Sequence, residues 1–284
     1  MTVYSVRGGG FGNQMFQLAA AMSEDPEFDG RLIGWSDNWQ TAIEELAPFL
    51  VRPVSFWTHV RLGRLWKDPK GWQLKVDRLF EGRRRRIAHR TYLPTQTLEG
   101  CFEHRLAEPA HPLVIKGNFQ HPDWYRRSLP VICDAFLRHA PADLKDRMAL
   151  PAVASARGGD YYDWGWALPD TYYRACFERR AVDEVHVISE DANRGAEVAE
   201  VLRSLGCRAD SLTGTAYDDF WRMVATPHLI MSNSTFCWWA AQVGDELYRR
   251  EGVERTVFGP LGWLPGGMGA HLIEPRWQAV SWGQ

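Results

Sequence analysis

Apolar residues gather in two kinds of stretch. Short β-prone runs occur at residues 3–6, 152–156, 185–189 and 228–231, each too short for a helix and rich in valine, isoleucine or alanine. Between or after them, apolar positions recur at helical spacing: residues 13–22 carry Met15, Phe16, Ala19 and Ala20 along one face, and similar patterns cover 170–178, 194–205 and 236–247. Strands that alternate with helices predict a parallel sheet with helices on both faces, which is the α/β class. The stretch 57–98 is rich in arginine, lysine and tryptophan without clear periodicity, and is assigned only as helices and loops.

A short polar helix between Pro141 and Pro151 precedes a fresh apolar run, so a boundary is expected there, giving an N-terminal domain of residues 1–150 and a C-terminal domain of residues 151–284. The length of 284 residues suits two units. Two such units facing a central cleft would bind ligands at the carboxyl ends of their strands. No internal repeat or low-complexity tract is visible.

Composition alters this picture little. An apolar fraction of 45% and a charged fraction of 24% are ordinary for a folded domain. A net charge of −2 supplies no footprint for nucleic acid. The local exception is the run Arg83, Arg84, Arg85 and Arg86, read as a solvated segment or as a contact to an acidic membrane surface, glycolipid or acceptor polymer. Five scattered cysteines without a Cys-x-x-Cys pair argue against a disulfide framework and a zinc site. The first residues carry no basic and apolar leader, and no run reaches a membrane span, so a cytoplasmic location is expected.

Two segments carry candidate chemistry. Gly8-Gly9-Gly10-Phe11-Gly12-Asn13-Gln14 lies between a strand and a helix, where small residues let backbone amides approach an anion. Its spacing fits neither the nucleotide P-loop nor the dinucleotide fingerprint. Near the other end, Ser232-Asn233-Ser234-Thr235 follows an apolar strand and precedes a helix, either as a plain N-cap or as a phosphate cradle. Glu190-Asp191 and Asp218-Asp219 also admit reading as metal-binding pairs, the second expected to be solvent-exposed on a helix.

Together these segments resemble the bacterial α-1,2-fucosyltransferases of glycosyltransferase family 11. GGGFGNQMFQLA is similar to the family's Gly-Gly-Leu-Gly-Asn-Gln-Met-Phe-Gln-Tyr-Ala, and SNSTFCWWAA to its Asn-Ser-Ser-Phe-Ser-Trp-Trp-Ala-Ala. Weaker matches lie between: Lys116 to Gln120 before Trp124-Tyr125, Ala156-Arg157-Gly158-Gly159-Asp160-Tyr161 before Tyr172-Tyr173, Ser189-Glu190-Asp191, and Phe258-Gly259-Pro260 with Trp263.

The resemblance implies a GT-B fold of two Rossmann-like domains, GDP-fucose as donor, a glycan hydroxyl as acceptor, inversion at the anomeric carbon, and neither metal nor other cofactor. It makes the N-terminal domain, residues 1–150, the acceptor side with a glycine-rich donor loop, and residues 151–284 the C-terminal nucleotide-sugar-binding domain. It makes Arg157 the catalytic candidate, holding the departing diphosphate. Gly12, Asn13, Asp160, Ser234, Thr235 and Phe236 become donor contacts, and Ser155, Ser189, Glu190 and Asp191 nucleoside contacts. Two departures stand out: Ser155 replaces the family's histidine, and Gly158 its second arginine. They admit a different nucleotide sugar, or a non-catalytic carbohydrate- or nucleotide-binding homologue. Arg7 is a candidate to replace the missing charge, and no general base is assigned.

Overall fold

The computed structural model describes residues 3–7, 9–24, 32–34, 43, 46–51, 113–116 and 118–282. The stretch 57–98, with Arg83, Arg84, Arg85 and Arg86, lies outside the described residues, as does the side chain of Arg7. The chain divides into two compact units, Met1–Ile132 and Cys133–Gln284. That division falls within a helix and ahead of the 150/151 boundary expected from the prolines.

In the first unit, β1 (Val3–Arg7) is followed by α1 (Phe11–Glu24), β2 (Leu32–Gly34), β3 (Leu113–Lys116) and α2 (Pro122–Tyr125), and α3 (Leu129–Arg138) is the helix in which the two units divide. The three strands form a parallel sheet in the order β2-β1-β3. Helix α1 forms where alanine, leucine and methionine run without a proline or β-branched residue, and it buries Met15, Phe16, Leu18 and Ala19 to Ala21. Phe16 meets Tyr125 edge to face at 5.4 Å, and the Ser128 hydroxyl donates to the Ala19 carbonyl at 2.9 Å. These contacts fasten the segment after β3 onto α1.

The second unit contains α4 (Leu144–Arg147), β4 (Ala152–Ala156), α5 (Asp160–Asp163), α6 (Asp170–Arg179), β5 (Glu184–Ser189), α7 (Ala192–Ser204) and β6 (Arg208–Leu212). It continues through α8 (Ala216–Ala225), β7 (His228–Ile230), α9 (Thr235–Glu251), β8 (Thr256–Leu261) and β9 (Gln278–Ser281). Its six strands are all parallel, in the order β6-β5-β4-β7-β8-β9. The α/β class read from the alternating pattern is therefore what the chain adopts.

Every residue of β4 is buried, as a central strand covered on both faces requires, and its Ala-Val-Ala-Ser-Ala composition leaves room for the helices. Around it Tyr172, Tyr173, Cys176, Val185, Val187 and Leu202 form the core. Strands β6, β8 and β9 escape the apolar pattern. At the edge of the sheet β6 buries only Ala209 fully while Arg208 and Asp210 face water, and β8 contains Gly259 and Pro260. Cys133, Cys176, Cys207 and Cys237 are free and buried, in keeping with the absence of a disulfide framework among the described residues. Among those residues no helix is long and apolar enough to cross a membrane.

Candidate functional site

In the second unit the chain enters the sheet at β4, winds outward through β5 and β6, then returns to the other side of β4 for β7, β8 and β9. The winding reverses between β4 and β7. In an open parallel sheet the crevice at the carboxyl ends of such a pair is where ligands bind, because the loops that follow diverge to opposite faces. The residues at these two ends are Arg157-Gly158-Gly159-Asp160 after β4 and Ser232-Asn233-Ser234 after β7.

Arg157 is held on three sides. Its guanidinium lies over the Tyr161 ring, 4.4 Å from the centroid. Nη1 pairs with Glu190 at 3.0 Å and Nη2 with Asp160 at 3.2 Å. Its Nε is buried and donates to no group among the described residues. The planar ion is thus stacked and oriented before any ligand arrives, which a flexible ammonium would not be. Asp160 and Glu190 are 49% and 44% exposed, so both can turn to solvent when an anion takes their place.

The turn after β4 depends on two glycines. The Gly158 N–H donates to Glu190 at 3.2 Å and the Gly159 N–H to Asp191 at 3.0 Å. Gly159 has φ +52° and ψ −123°, a region that side chains exclude. A Cβ on Gly158 would run into the Asp191 carboxylate, whose Cβ and Cγ lie 2.8 Å from its position. Asp191 meanwhile caps α7, its other oxygen accepting from the N–H groups of Asn193 at 3.0 Å and Arg194 at 3.2 Å. The hydrogen bond from Gly159, followed by that from Arg194, holds the Asp191 carboxyl below its ordinary range.

These contacts redistribute the expected roles. Ser155 is 7% exposed and its hydroxyl shares a 2.9 Å hydrogen bond with Ser232, joining β4 to the segment after β7. It stands inside the wall of the crevice, with its carbonyl accepting from the Tyr173 hydroxyl at 3.1 Å. Ser189 accepts from the Asp191 N–H at 3.1 Å and braces the turn after β5. With Asp191 engaged as a cap, Glu190 is the acidic side chain of that segment still facing Arg157.

After β7, Ser234 holds the cap position of α9 with extended backbone, but its hydroxyl makes no capping hydrogen bond. The first turn of α9 contains no acidic residue to oppose an anion. Thr235 is half-buried. Phe236 turns its ring toward Phe220 of α8 at 5.8 Å. Motif matching undervalued Tyr161 and Asn233. The Tyr161 hydroxyl donates to the Asn233 carbonyl at 3.3 Å, and the Asn233 amide donates to the Trp166 carbonyl at 2.9 Å, so the two sides of the crevice are tied together.

Within the first unit, Gly12 is buried in α1 and Asn13 accepts from the Gln120 amide at 3.0 Å. Gln14 donates to the Gly9 carbonyl at 2.9 Å, and Gly9 adopts φ +73° against the Asn13 side chain. Two motifs that are far apart in sequence, the glycine turn and the segment ending in Gln120, therefore meet after β1 and β3.

Among the described residues no three His, Cys, Asp or Glu side chains converge. Asp218 and Asp219 are half-buried rather than exposed as expected, because the first turn of α8 folds them back on its cap. Thr215 donates to Asp218 at 2.8 Å, and Asp219 sits 3.7 Å from Arg222. Burial, only partly offset by Arg222, pushes the Asp219 carboxyl up to about 6.

No family model matches the chain, and no curated protein matches it. Among solved structures it is similar to E. coli heptosyltransferase WaaC with ADP-2-deoxy-2-fluoro heptose, at 11% identity and a TM-score of 0.49, covering 99% of this chain and 93% of that one. It is also similar to a mutant of Arabidopsis thaliana FUT1 in complex with GDP, at 14% identity and a TM-score of 0.46, over 86% of this chain and 68% of that one. Fucosyltransferase NodZ from Bradyrhizobium gives 13% identity and a TM-score of 0.43, over 84% and 91%. At such distances the likenesses bear neither on the site nor on the substrate.

The Gly158 geometry gives a direct test. Restoring an arginine there, Gly158→Arg, is expected to destabilise the protein by about 1–3 kcal/mol, because the new Cβ displaces the cap of α7 and breaks the bond to Gly159. Thermal unfolding of the variant checks this, and a melting midpoint equal to that of the unsubstituted protein contradicts it.

Proposed function

We propose that the chain is a nucleotide-sugar-dependent glycosyltransferase of GT-B type, which moves fucose from GDP-fucose to a glycan hydroxyl. In its finer form the transfer inverts the anomeric carbon and forms an α-1,2 linkage. The observation that carries this reading is an oriented arginine at the point where the sheet reverses: Arg157 after β4, beside the unopposed N-terminus of α9 after β7. The family resemblance of the surrounding motifs supplies the chemistry.

In this reading the acceptor hydroxyl oxygen attacks the anomeric carbon, the bond from that carbon to the β-phosphate oxygen breaks with its electron pair, and the hydroxyl proton is lost late to a carboxylate or to the departing diphosphate. Negative charge grows on the departing diphosphate. Arg157 meets it through Nε and, as Asp160 or Glu190 swings away, through a second nitrogen, giving a two-pronged contact. The Gly158 amide, released as Glu190 turns away, and the backbone amides of α9 complete the charge balance without a metal, and the nucleotide sugar is a substrate rather than a bound cofactor.

A second reading keeps the fold and changes the donor. It is favoured by the buried Ser155 and the confined Gly158, which remove two side chains that the resemblance ties to GDP-fucose.

Thermal shift with GDP, UDP, ADP and dTDP separates these readings. Stabilisation of about 2.7 kcal/mol is expected from the preferred nucleotide at about 100 times its Kd. Preference for GDP, followed by GDP release from GDP-fucose with an acceptor glycan, supports the first reading. Preference for another base supports the second, and binding of none overturns both.

A further inference from the structure

Helix α5 and the loop that leads from it to α6 keep aromatic rings in water. Tyr162 is 49% exposed and Trp164 53%, on a segment whose remaining aromatics are partly buried. Tyr161, Trp164 and Trp166 meet at tilted or edge-on angles, with the Trp164 and Trp166 ring centroids 4.7 Å apart.

The loop is also well anchored. The Trp166 and Ala167 N–H groups both donate to the Tyr161 carbonyl, at 2.8 and 3.1 Å, and Asn233 holds the Trp166 carbonyl. A surface tryptophan on a fastened loop, next to the ring that carries Arg157, is a stacking platform already in position.

Beside it lies a cavity of about 380 Å³, lined in part by Tyr162, Gly165, Leu168, Asp170 and Arg194. That volume is at the small end of ligand pockets. Arg194 is 5% exposed and pairs with Asp170 at 2.9 Å and Glu197 at 3.0 Å, while its Nε is buried without a partner. Asp170 and Glu197 are each 55% exposed, so Arg194 fixes two carboxylates whose remaining lone pairs face water.

We infer that this loop and cavity bind a saccharide, with the apolar face of a pyranose on Trp164 and Tyr162 and its hydroxyl groups donating to Asp170 and Glu197. Rings with an apolar face and hydroxyl donors at the edge match this surface, whereas a phosphate does not, since Asp170 and Glu197 both pair with Arg194. The saccharide is the acceptor glycan; that role rests on the transfer reading, while binding itself does not.

Saturation-transfer NMR on the full chain, without nucleotide, tests the inference using lactose, N-acetyllactosamine, cellobiose and chitotriose as probes. Transfer to at least one of them is expected, reduced tenfold or more by Trp164→Ala and restored by Trp164→Phe. The exposure of Trp164 leaves the melting midpoint unchanged in both variants. Absence of transfer to all four probes, undiminished binding by Trp164→Ala, or competition of the saccharide by free GDP overturns the inference. Nucleotide thermal shift reads the transfer hypothesis separately, so each can fail without the other.

Discussion

Replacing Arg157 with alanine is expected to lower kcat for sugar transfer by about 10²- to 10³-fold, the loss that follows removal of one preorganised donor at developing negative charge. The guanidinium is already stacked on Tyr161 and aligned by Asp160 and Glu190, so little reorganisation accompanies the reaction. Arg157→Lys is expected to recover only a small part of the rate, since one ammonium supplies charge without the planar pair of donors. Because the side chain is 27% exposed and lies at a strand end, both variants should fold. The measurement is GDP release from GDP-fucose at saturating acceptor, with thermal unfolding as the control. Turnover within threefold of the unsubstituted protein would remove Arg157 from the catalytic role.

That prediction depends on features the sequence discloses unevenly. The β4 and β7 runs are legible because a central parallel strand is apolar on both faces, and Arg157 and Ser234 follow them directly. Their convergence is not legible from periodicity, since it depends on β7 lying beside β4 rather than beyond β6. Edge strand β6 hides among polar residues because only one face of it is buried. The roles of Ser155 and Gly158 were also beyond reach. A serine in place of histidine looks like a weakened ligand contact, but the hydroxyl belongs to Ser232 inside the wall. A glycine in place of arginine looks like lost charge, but the space belongs to the cap of α7.

The motif positions differ in their neighbours. Arg157 stands just after β4, stacked on Tyr161. Ser155 shares a hydrogen bond with Ser232, Asp191 caps α7, and Phe236 meets Phe220.

The largest effect on stability is expected away from the crevice, at Arg255, in the turn between α9 and β8. This side chain is 3% exposed and donates to four acceptors: the carbonyls of Met223 at 2.5 Å, Thr226 at 3.0 Å and Ala241 at 2.8 Å, and Asp245 at 3.2 Å. Two of these carbonyls belong to the carboxyl end of α8, where intrahelical donors run out, and Tyr248 serves a third there through a 2.6 Å bond to Ala225. Gly244 makes the approach feasible, since a Cβ at that position would strike the guanidinium and lie 2.6 Å from the Val224 carbonyl. Asp245 in turn accepts from Arg276 and from the Trp277 indole at 2.7 Å, so one arginine locks α8, α9 and the chain before β9 together. Arg255→Met removes the charge while keeping much of the volume. It leaves three buried carbonyls and part of a carboxylate without their donor, a loss of about 3–5 kcal/mol, against a total stability of roughly 5–15 kcal/mol. Tyr248→Phe, deleting one hydroxyl from the same helix end, is expected to cost only about 1 kcal/mol. Urea unfolding of the full chain at pH 7 gives the ordering. If Arg255→Met shifted the midpoint no further than Tyr248→Phe, the guanidinium would be a bystander in the packing of α8 against α9. Because α9 starts just after its cap residue Ser234, the loss should also loosen the crevice, and nucleotide binding by Arg255→Met should weaken even below its melting temperature.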